Sequence, residues 1–231
     1  MSAAPQAAAT RRVLLAGGGS GGHVFPALAV GAELAARGWR VDFGGAAAGM
    51  EARLVGERGL PFHPLPARPL VGRGVVDRAR ALWTLAGSTL AARGLVRRLG
   101  VAVVVGTGGY VSAPAVLGAA LAGVPAVLVE PNATPGVANR WLSRWAAEAA
   151  LAFPEAADGF ACPSTVTGVP VRGELAALPP APIGGAVHLL VTGGSQGAEQ
   201  LNRLLPAALG RLAAEGAAGR PPLAVLHQAG A

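Results

Sequence analysis

Three times in this chain a short apolar run ends in a cluster of glycines and passes into a helical stretch. The runs are Arg12–Ala16 before Gly17 to Gly22, Val101–Val105 before Gly106 to Gly109, and Val187–Val191 before Gly193 to Gly197. A strand that feeds a helix through so tight a turn has few partners open to it. Repetition of the unit implies a parallel sheet with right-handed crossovers and helices on both faces. Further strands are predicted at Arg40–Gly44, Pro61–Leu65, Pro125–Val129 and Ala149–Ala152. Helices are predicted at Pro26–Arg37, Met50–Arg58, Asp77–Leu99, Ser112–Ala122 and Gly136–Arg144. The fold class is α/β.

From Pro163 to Gly185 the rhythm lapses into a stretch with five prolines, which includes Leu178-Pro179-Pro180-Ala181-Pro182. A leader over 1–10, expected to be disordered, then a first domain over 11–170 and a proline-rich linker over 171–185 follow from this reading. From 186 to 231 the pattern restarts as strand Val187–Val191, helix Ala198–Ala214 and strand Ala224–His227. One β-α-β unit cannot cover its own apolar faces, so the second domain is expected to be incomplete, the start of a longer one.

Two segments imitate membrane or export signals. Val101 to Val129 carries no charge and is long enough to span a bilayer. Gly106, Gly108, Gly109, Pro114, Gly123 and Pro125 divide it, and a buried strand–helix–strand segment is expected instead. The paired Arg11 and Arg12 before an apolar run resemble a twin-arginine signal, but a glycine loop and a helix opened by Pro26 follow.

The charge balance narrows the chemistry. Hydrophobic residues make up 52% and charged ones 13%, which excludes a disordered chain. All 19 basic residues are arginine. Without lysine there is no Walker A phosphate loop and no Schiff base. Of the net +7, the segment from Arg68 to Arg98 holds +6, seven arginines less Asp77. An anionic partner fits that balance. Nucleic acid is not expected, because no binding motif and no interleaved aromatics accompany the charge. The single cysteine, Cys162, reads as a small thiol outside any disulfide, and His63, His188 and His227 lack metal-ligand spacing.

Glycine loops at helix starts let backbone approach a ligand and aim free N–H groups at an anion. Gly17, Gly19 and Gly22 satisfy the G-x-G-x-x-G spacing, with Asp42 about twenty residues on, so a dinucleotide-dependent oxidoreductase is one reading of the first loop alone. The second and third loops favour another. Three anion-ready turns over two domains suit a diphosphate donor meeting a diphosphate acceptor.

Six segments then occur in a telling order: Gly18-Gly19-Ser20-Gly21-Gly22-His23-Val24-Phe25-Pro26, Met50-Glu51, Gly108-Gly109-Tyr110-Val111-Ser112, Glu130-Pro131-Asn132, Pro170-Val171-Arg172 and Gly193-Gly194-Ser195-Gln196-Gly197-Ala198. With them the chain resembles the MurG family, the undecaprenyl-diphospho-muramoylpentapeptide β-N-acetylglucosaminyltransferases of peptidoglycan synthesis. The likeness spans roughly residues 11 to 231. It implies the GT-B architecture of two Rossmann-like domains with parallel sheets. It further implies transfer of N-acetylglucosamine from UDP-GlcNAc to the muramoyl 4-hydroxyl of lipid I, giving lipid II with inversion and without a metal or other cofactor. Ser20, Gly21, Gly22, Asn132, Arg172 and Ser195 are the positions the resemblance ties to the donor. Three departures stand out: Ser20 where threonine is common, Pro131 where glutamine is usual, and Val169 in place of an asparagine.

Roles follow from residue chemistry. His23, directly after the first loop, is the candidate general base for the attacking hydroxyl; its alternative is to orient a phosphate or to bond backbone. Gly108, Gly109, Tyr110 and Ser112 are candidates for the acceptor diphosphate, although Tyr110 and Ser112 serve equally to stabilise the turn. Glu130 reads as a second base or as a structural acceptor. Arg172 suits bidentate contact with a phosphate, or else is a solvated surface residue. Ser195 is placed to donate to departing phosphates. Arg73, Val75, Arg78, Arg80, Leu82 and Trp83 form a candidate patch for anionic membrane at the cytoplasmic face, the alternative being an ordinary amphipathic helix. An inactive lipid- or anion-binding fragment is a further reading of the chain.

Overall fold

The computed structural model describes residues 11–68, 74–179, 186–194, 197–214 and 222–230. The boundary between two compact units falls between Ala177 and Leu178. The expected leader and residues 180–185 of the expected linker lie outside the described residues, as do Arg73 and Ser195 and the side chain of Val75.

In the first unit the chain runs β1 (Arg12–Ala16), α1 (Gly21–Ala36), β2 (Arg40–Gly45), α2 (Met50–Gly56), β3 (Phe62–Pro64) and α3 (Val75–Leu99). It continues with β4 (Val103–Gly106), α4 (Ala113–Ala122), β5 (Ala126–Glu130), α5 (Val137–Leu142) and β6 (Glu148–Leu151). A 3₁₀ turn (Pro154–Gly159), β7 (Ser164–Val166) and α6 (Gly173–Ala176) complete it. Seven strands form one sheet in the order β3-β2-β1-β4-β5-β6-β7, and every pairing is parallel.

Side chains on a strand alternate between faces, and both faces of this sheet are covered, so the central strands are apolar throughout. Leu14, Ala16, Val104, Ala126 and Leu128 pack with Ala92, Leu95 and Val96 of α3 and with Ala115, Val116 and Ala119 of α4. Val13, Leu15, Val41, Phe43 and Val105 pack on the other face with Val24, Ala27 and Leu28 of α1 and with Leu54 and Val55 of α2. α3 and α4 meet closely at Gly118, where an added Cβ would lie 2.7 Å from the Ala92 Cβ.

The sequence expectations need two corrections here. α1 begins at Gly21 rather than at Pro26, so His23 sits in the first turn of a helix and not in a loop. Two consecutive glycines have the weakest helical propensity of any residue but proline, and they hid that turn from the pattern. The lapse after Pro163 contains a further strand, β7, whose exposed Ser164–Val166 pairs with Ala149 to Leu151 of β6. At three residues, a solvent-facing edge strand has no alternation to reveal it. The uncharged Val101 to Val129 stretch forms β4, α4 and β5, and among the described residues no helix is long and apolar enough to cross a membrane.

The second unit holds β8 (Val187–Thr192), α7 (Glu199–Ala214) and β9 (Leu223–Gln228), with β8 and β9 paired in parallel from Val187↔Leu223 to Thr192↔Gln228. Its Leu190, Leu204 and Leu226 are exposed.

Candidate active site

From β1 the chain proceeds to β2 on one side, and from β4 to β5 on the other. The crevice beyond the carboxyl ends of β1 and β4 is therefore the sheet's topological switch point, where open α/β sheets hold ligands. Both glycine loops of the first unit lie there.

In the first loop Ser20 is extended and caps α1 by its carbonyl, which accepts from His23 N and Val24 N at 3.2 Å each. Its hydroxyl makes no cap bond. Gly21 and Gly22 are the first two helical residues, whose amides have no intrahelical acceptor, so they and the Ser20 hydroxyl form a seat for an anion at the positive end of the helix. Gly19 faces the other way. Its amide donates to Glu51 Oε2 at 3.4 Å, and Ala46 N donates to Oε1 at 3.0 Å. Glu51 is fully buried in the first turn of α2, and a Cβ on Gly18 would come within 2.5 Å of its carboxylate. A buried carboxylate thus braces the loop from behind.

The second loop closes over the first. Gly108 and Gly109 take φ of +98° and +72°, a region that penalises any Cβ. A Cβ at Gly109 would also lie 2.5 Å from the Gly18 carbonyl, and one at Gly19 would lie 3.7 Å from the Tyr110 ring. Ser112 is fully buried and donates its hydroxyl to Gly109 O at 2.9 Å. Its one proton is spent on the turn, so Ser112 shapes the loop instead of donating to a phosphate. His23 is half-buried between the loops. Its Nδ1 lies 2.9 Å from Thr107 O, and Thr107 Oγ1 donates to His23 O at 2.6 Å.

Beyond β5, Glu130 is buried and organises the next loop. Oε1 accepts from Asn132 N at 3.1 Å and from Asn132 Nδ2 at 2.8 Å. Oε2 accepts from Gly136 N at 3.0 Å and from Asn139 Nδ2 at 3.0 Å. With four donors filling its lone pairs, the carboxylate acts as a structural acceptor and not as a second base. Asn132 is exposed and keeps its Oδ1 outside this network. Asn139 is buried and also donates to Val129 O at 3.1 Å. The Arg172 guanidinium lies over the Phe25 ring at 5.7 Å, which ties the segment before α6 to α1.

Asp42, the acid that the dinucleotide reading requires, is otherwise engaged. It is buried within β2, accepting from His63 Nε2 at 2.8 Å and pairing with Arg12 Nε at 3.4 Å. Its oxygens are spent inside the fold and not at a strand end, so the ribose ligand of that fingerprint is missing. Cys162 is half-buried, and burial pushes its thiol up from the ordinary range, with Glu148 adding to the effect. Among the described residues no group of three His, Cys, Asp or Glu is placed to hold a metal ion.

α3 divides its apolar residues between two faces. Ala81, Leu85, Ala92, Leu95 and Val96 pack inward. Val76, Leu82, Trp83 and Leu90 do not, and Trp83 is 81% exposed. Leu82 and Leu90 join Leu117, Leu121, Trp141 and Trp145 around an apolar groove of about 520 Å³. Arg78 and Arg80 are exposed on the same helix, whereas Arg93 is half-buried and donates to Leu121 O at 3.1 Å. The inward stripe accounts for the amphipathic pattern but not for the outward aromatic.

Thr107, Asn139 and Phe25 received no role from the sequence, although Phe25 falls in the first of the six segments. Thr107 and Asn139 carry no local signal, since each acts on a residue far along the chain or in another element.

A model of the glycosyltransferase family 28 N-terminal domain matches residues 13–151. A UDP-N-acetylglucosamine--N-acetylmuramyl-(pentapeptide) pyrophosphoryl-undecaprenol N-acetylglucosamine transferase of Ectopseudomonas mendocina is 47% identical over 220 residues, covering 94% of this chain and 60% of the relative. The protein of that name from Pseudomonas fluorescens strain Pf0-1 is 46% identical over 222 residues, with the same coverage of 94% and 60%. The chain thus spans about three fifths of the length of these relatives. The crystal structure of Acinetobacter baumannii MurG superposes with a TM-score of 0.72 at 34% identity, over 95% of this chain and 59% of that one. A glycosyltransferase from Rickettsia africae shares the fold alone, with a TM-score of 0.63 at 9% identity over 94% of this chain and 60% of that one.

Proposed function

The chain belongs to glycosyltransferase family 28, and from that premise we propose that it serves an inverting hexosyltransferase, its first unit on the acceptor side and its second in the donor-binding domain. The donor is UDP-GlcNAc. The acceptor is the 4-hydroxyl of an N-acetylmuramoyl-pentapeptide carried on undecaprenyl diphosphate, and the product is the disaccharide lipid of peptidoglycan synthesis. The reading is carried by the two glycine loops meeting at the switch point with His23 between them. It is supported by the names of relatives 46–47% identical over nearly the whole chain.

In this reading Ser20, Gly21 and Gly22 receive a diphosphate oxygen at the start of α1, where the helix dipole favours negative charge. Gly108, Gly109 and Tyr110 border the acceptor side. Asn132 and Arg172 contact the donor, and Ser195, in the third glycine-rich segment of the sequence, stabilises the departing UDP. His23 takes the proton of the attacking hydroxyl. As that oxygen bonds to C1 of GlcNAc, the bond from C1 to the UDP phosphate breaks and UDP leaves with the electron pair. No metal or other cofactor enters the scheme.

We also assign the protein a peripheral place on the cytoplasmic face of the membrane. Trp83, Leu82 and Leu90 insert at the interface, and Arg78 and Arg80 meet anionic headgroups.

The decisive assay uses the chain extended to the length of its relatives, with labelled UDP-GlcNAc and a muramoyl-diphospholipid acceptor. Label should pass to the lipid phase, and His23→Ala should reduce the rate about a hundredfold or more, the usual span for a general base. Release of free sugar without lipid product, or protection by NADH and not by UDP-GlcNAc, refutes the transferase reading. For the membrane surface, co-sedimentation with anionic vesicles should fall for Trp83→Ser and at high salt. Equal binding to neutral vesicles refutes that part.

A further inference from the structure

A histidine that accepts a proton must present a lone pair, and which nitrogen carries it is set by what the other one touches. Nδ1 of His23 lies 2.9 Å from the Thr107 carbonyl, and a carbonyl oxygen only accepts. Nδ1 therefore bears the hydrogen, and Nε2 keeps the lone pair in the neutral ring. Thr107 returns the contact by donating its hydroxyl to His23 O at 2.6 Å. Two residues 84 positions apart are thus joined by reciprocal hydrogen bonds, each from the side chain of one to the main-chain carbonyl of the other.

The surroundings hold this clasp in one geometry. Thr107 is fully buried, and its hydroxyl fills the space that a Cβ on Gly17 would occupy. The ring is flanked by the backbone of the second loop. A Cβ on Gly108 would fall 2.9 Å from both Nδ1 and Cε1, and one on Gly109 would fall 3.3 Å from Cδ2. A half-turn of the ring would put Cδ2 against the Thr107 carbonyl and forfeit the bond.

We propose that Thr107 is a positioning residue that fixes His23 as its Nδ1–H tautomer, so that Nε2 is the proton-accepting atom. The proposal deepens the transferase reading and rests on His23 as base. When Nε2 takes the hydroxyl proton, the ring becomes a cation. The Thr107 carbonyl dipole on Nδ1–H then stabilises that charge, as an orienting acceptor does for other catalytic histidines. The proton afterwards passes from Nε2 to solvent.

Side-chain ¹⁵N spectra of the histidine-labelled chain test this without any assay of turnover, and His23→Gln identifies the resonance. The neutral His23 ring should be the Nδ1–H tautomer in the parent and in Thr107→Ser, and mixed in Thr107→Val. In the chain extended to its relatives' length, Thr107→Val should lower kcat about tenfold, a part of what a general base contributes. The KM for UDP-GlcNAc should stay unchanged, and Thr107→Ser should restore kcat. An Nε2–H tautomer in the parent overturns the proposal, and so does a Thr107→Val chain that matches the parent in both tautomer and kcat. Normal transfer by His23→Gln with the expected tautomer removes the base reading alone and leaves the hold of Thr107 on the ring intact.

Discussion

Replacing Glu130 with glutamine changes one oxygen to an amide nitrogen and almost nothing in volume. The four donors around that carboxylate, Asn132 N, Asn132 Nδ2, Gly136 N and Asn139 Nδ2, make the change costly. A glutamine has one acceptor to offer, so one pair of donors must face an NH₂ group. Asn139 is buried and Asn132 is exposed, so the amide turns its NH₂ toward Asn132, where water replaces the lost partners. Two bonds to a charged group are lost and two become neutral. At about 1.5–3 kcal/mol for a charged bond and about 1 for a neutral one, offset by water at the exposed side, the net cost is roughly 2–4 kcal/mol. For a domain of this size that lowers Tm by roughly 4–16 °C.

Intrinsic fluorescence during urea unfolding is a clean readout, because all four tryptophans, Trp39, Trp83, Trp141 and Trp145, precede the unit boundary at Ala177. Glu148→Gln is the matched control, since Glu148 accepts one exposed bond from Thr165 at 2.8 Å and should cost within about 0.5 kcal/mol. The urea midpoint of Glu130→Gln should fall with an unchanged slope. A midpoint equal to that of Glu148→Gln would refute the claim that the carboxylate holds the loop bearing Asn132.

Other substitutions probe separate parts of the argument. Gly94 lies inside α3 with nothing within 4 Å of an added Cβ, so Gly94→Ala should stabilise by about 0.4–1 kcal/mol in the same unfolding assay. Gly118→Ala should cost about 1–3 kcal/mol, because its Cβ would press on Ala92 Cβ at 2.7 Å and Arg93 N at 2.8 Å; equal effects at the two sites would contradict the packing described. Phe25→Leu removes the ring beneath Arg172, and at about 0.5–1 kcal/mol for an exposed cation–π contact it should raise the KM for UDP-GlcNAc about two- to five-fold. Phe25→Trp should keep the parent value, and a loss of kcat in place of the KM change would assign Phe25 a different role.

The site was only partly legible before the fold was known. The turn from Gly17 to Gly22 was readable because glycines between a strand and a helix have a local reason to be there. The same local logic misjudged the start of α1 and passed over β7, whose three exposed residues carry no periodic signal. Ser112 and Glu130 each had two chemically sound roles on paper. The choice between them came from burial and from partners such as Gly109 and Asn139, which no spacing rule connects.

Strand and helix periodicity, turn glycines and charge distribution are properties of neighbours along the chain. They were enough to establish the α/β class, the parallel sheet and the glycine loops. What lone pairs and protons do is decided by groups brought together from distant positions. Thr107 meets His23 across 84 residues, and Asp42 gives its carboxylate to His63 and Arg12 and so is lost to any dinucleotide. Hydrogen bonding depends on distance and direction in space, which appear only once the sheet has set β1 beside β4.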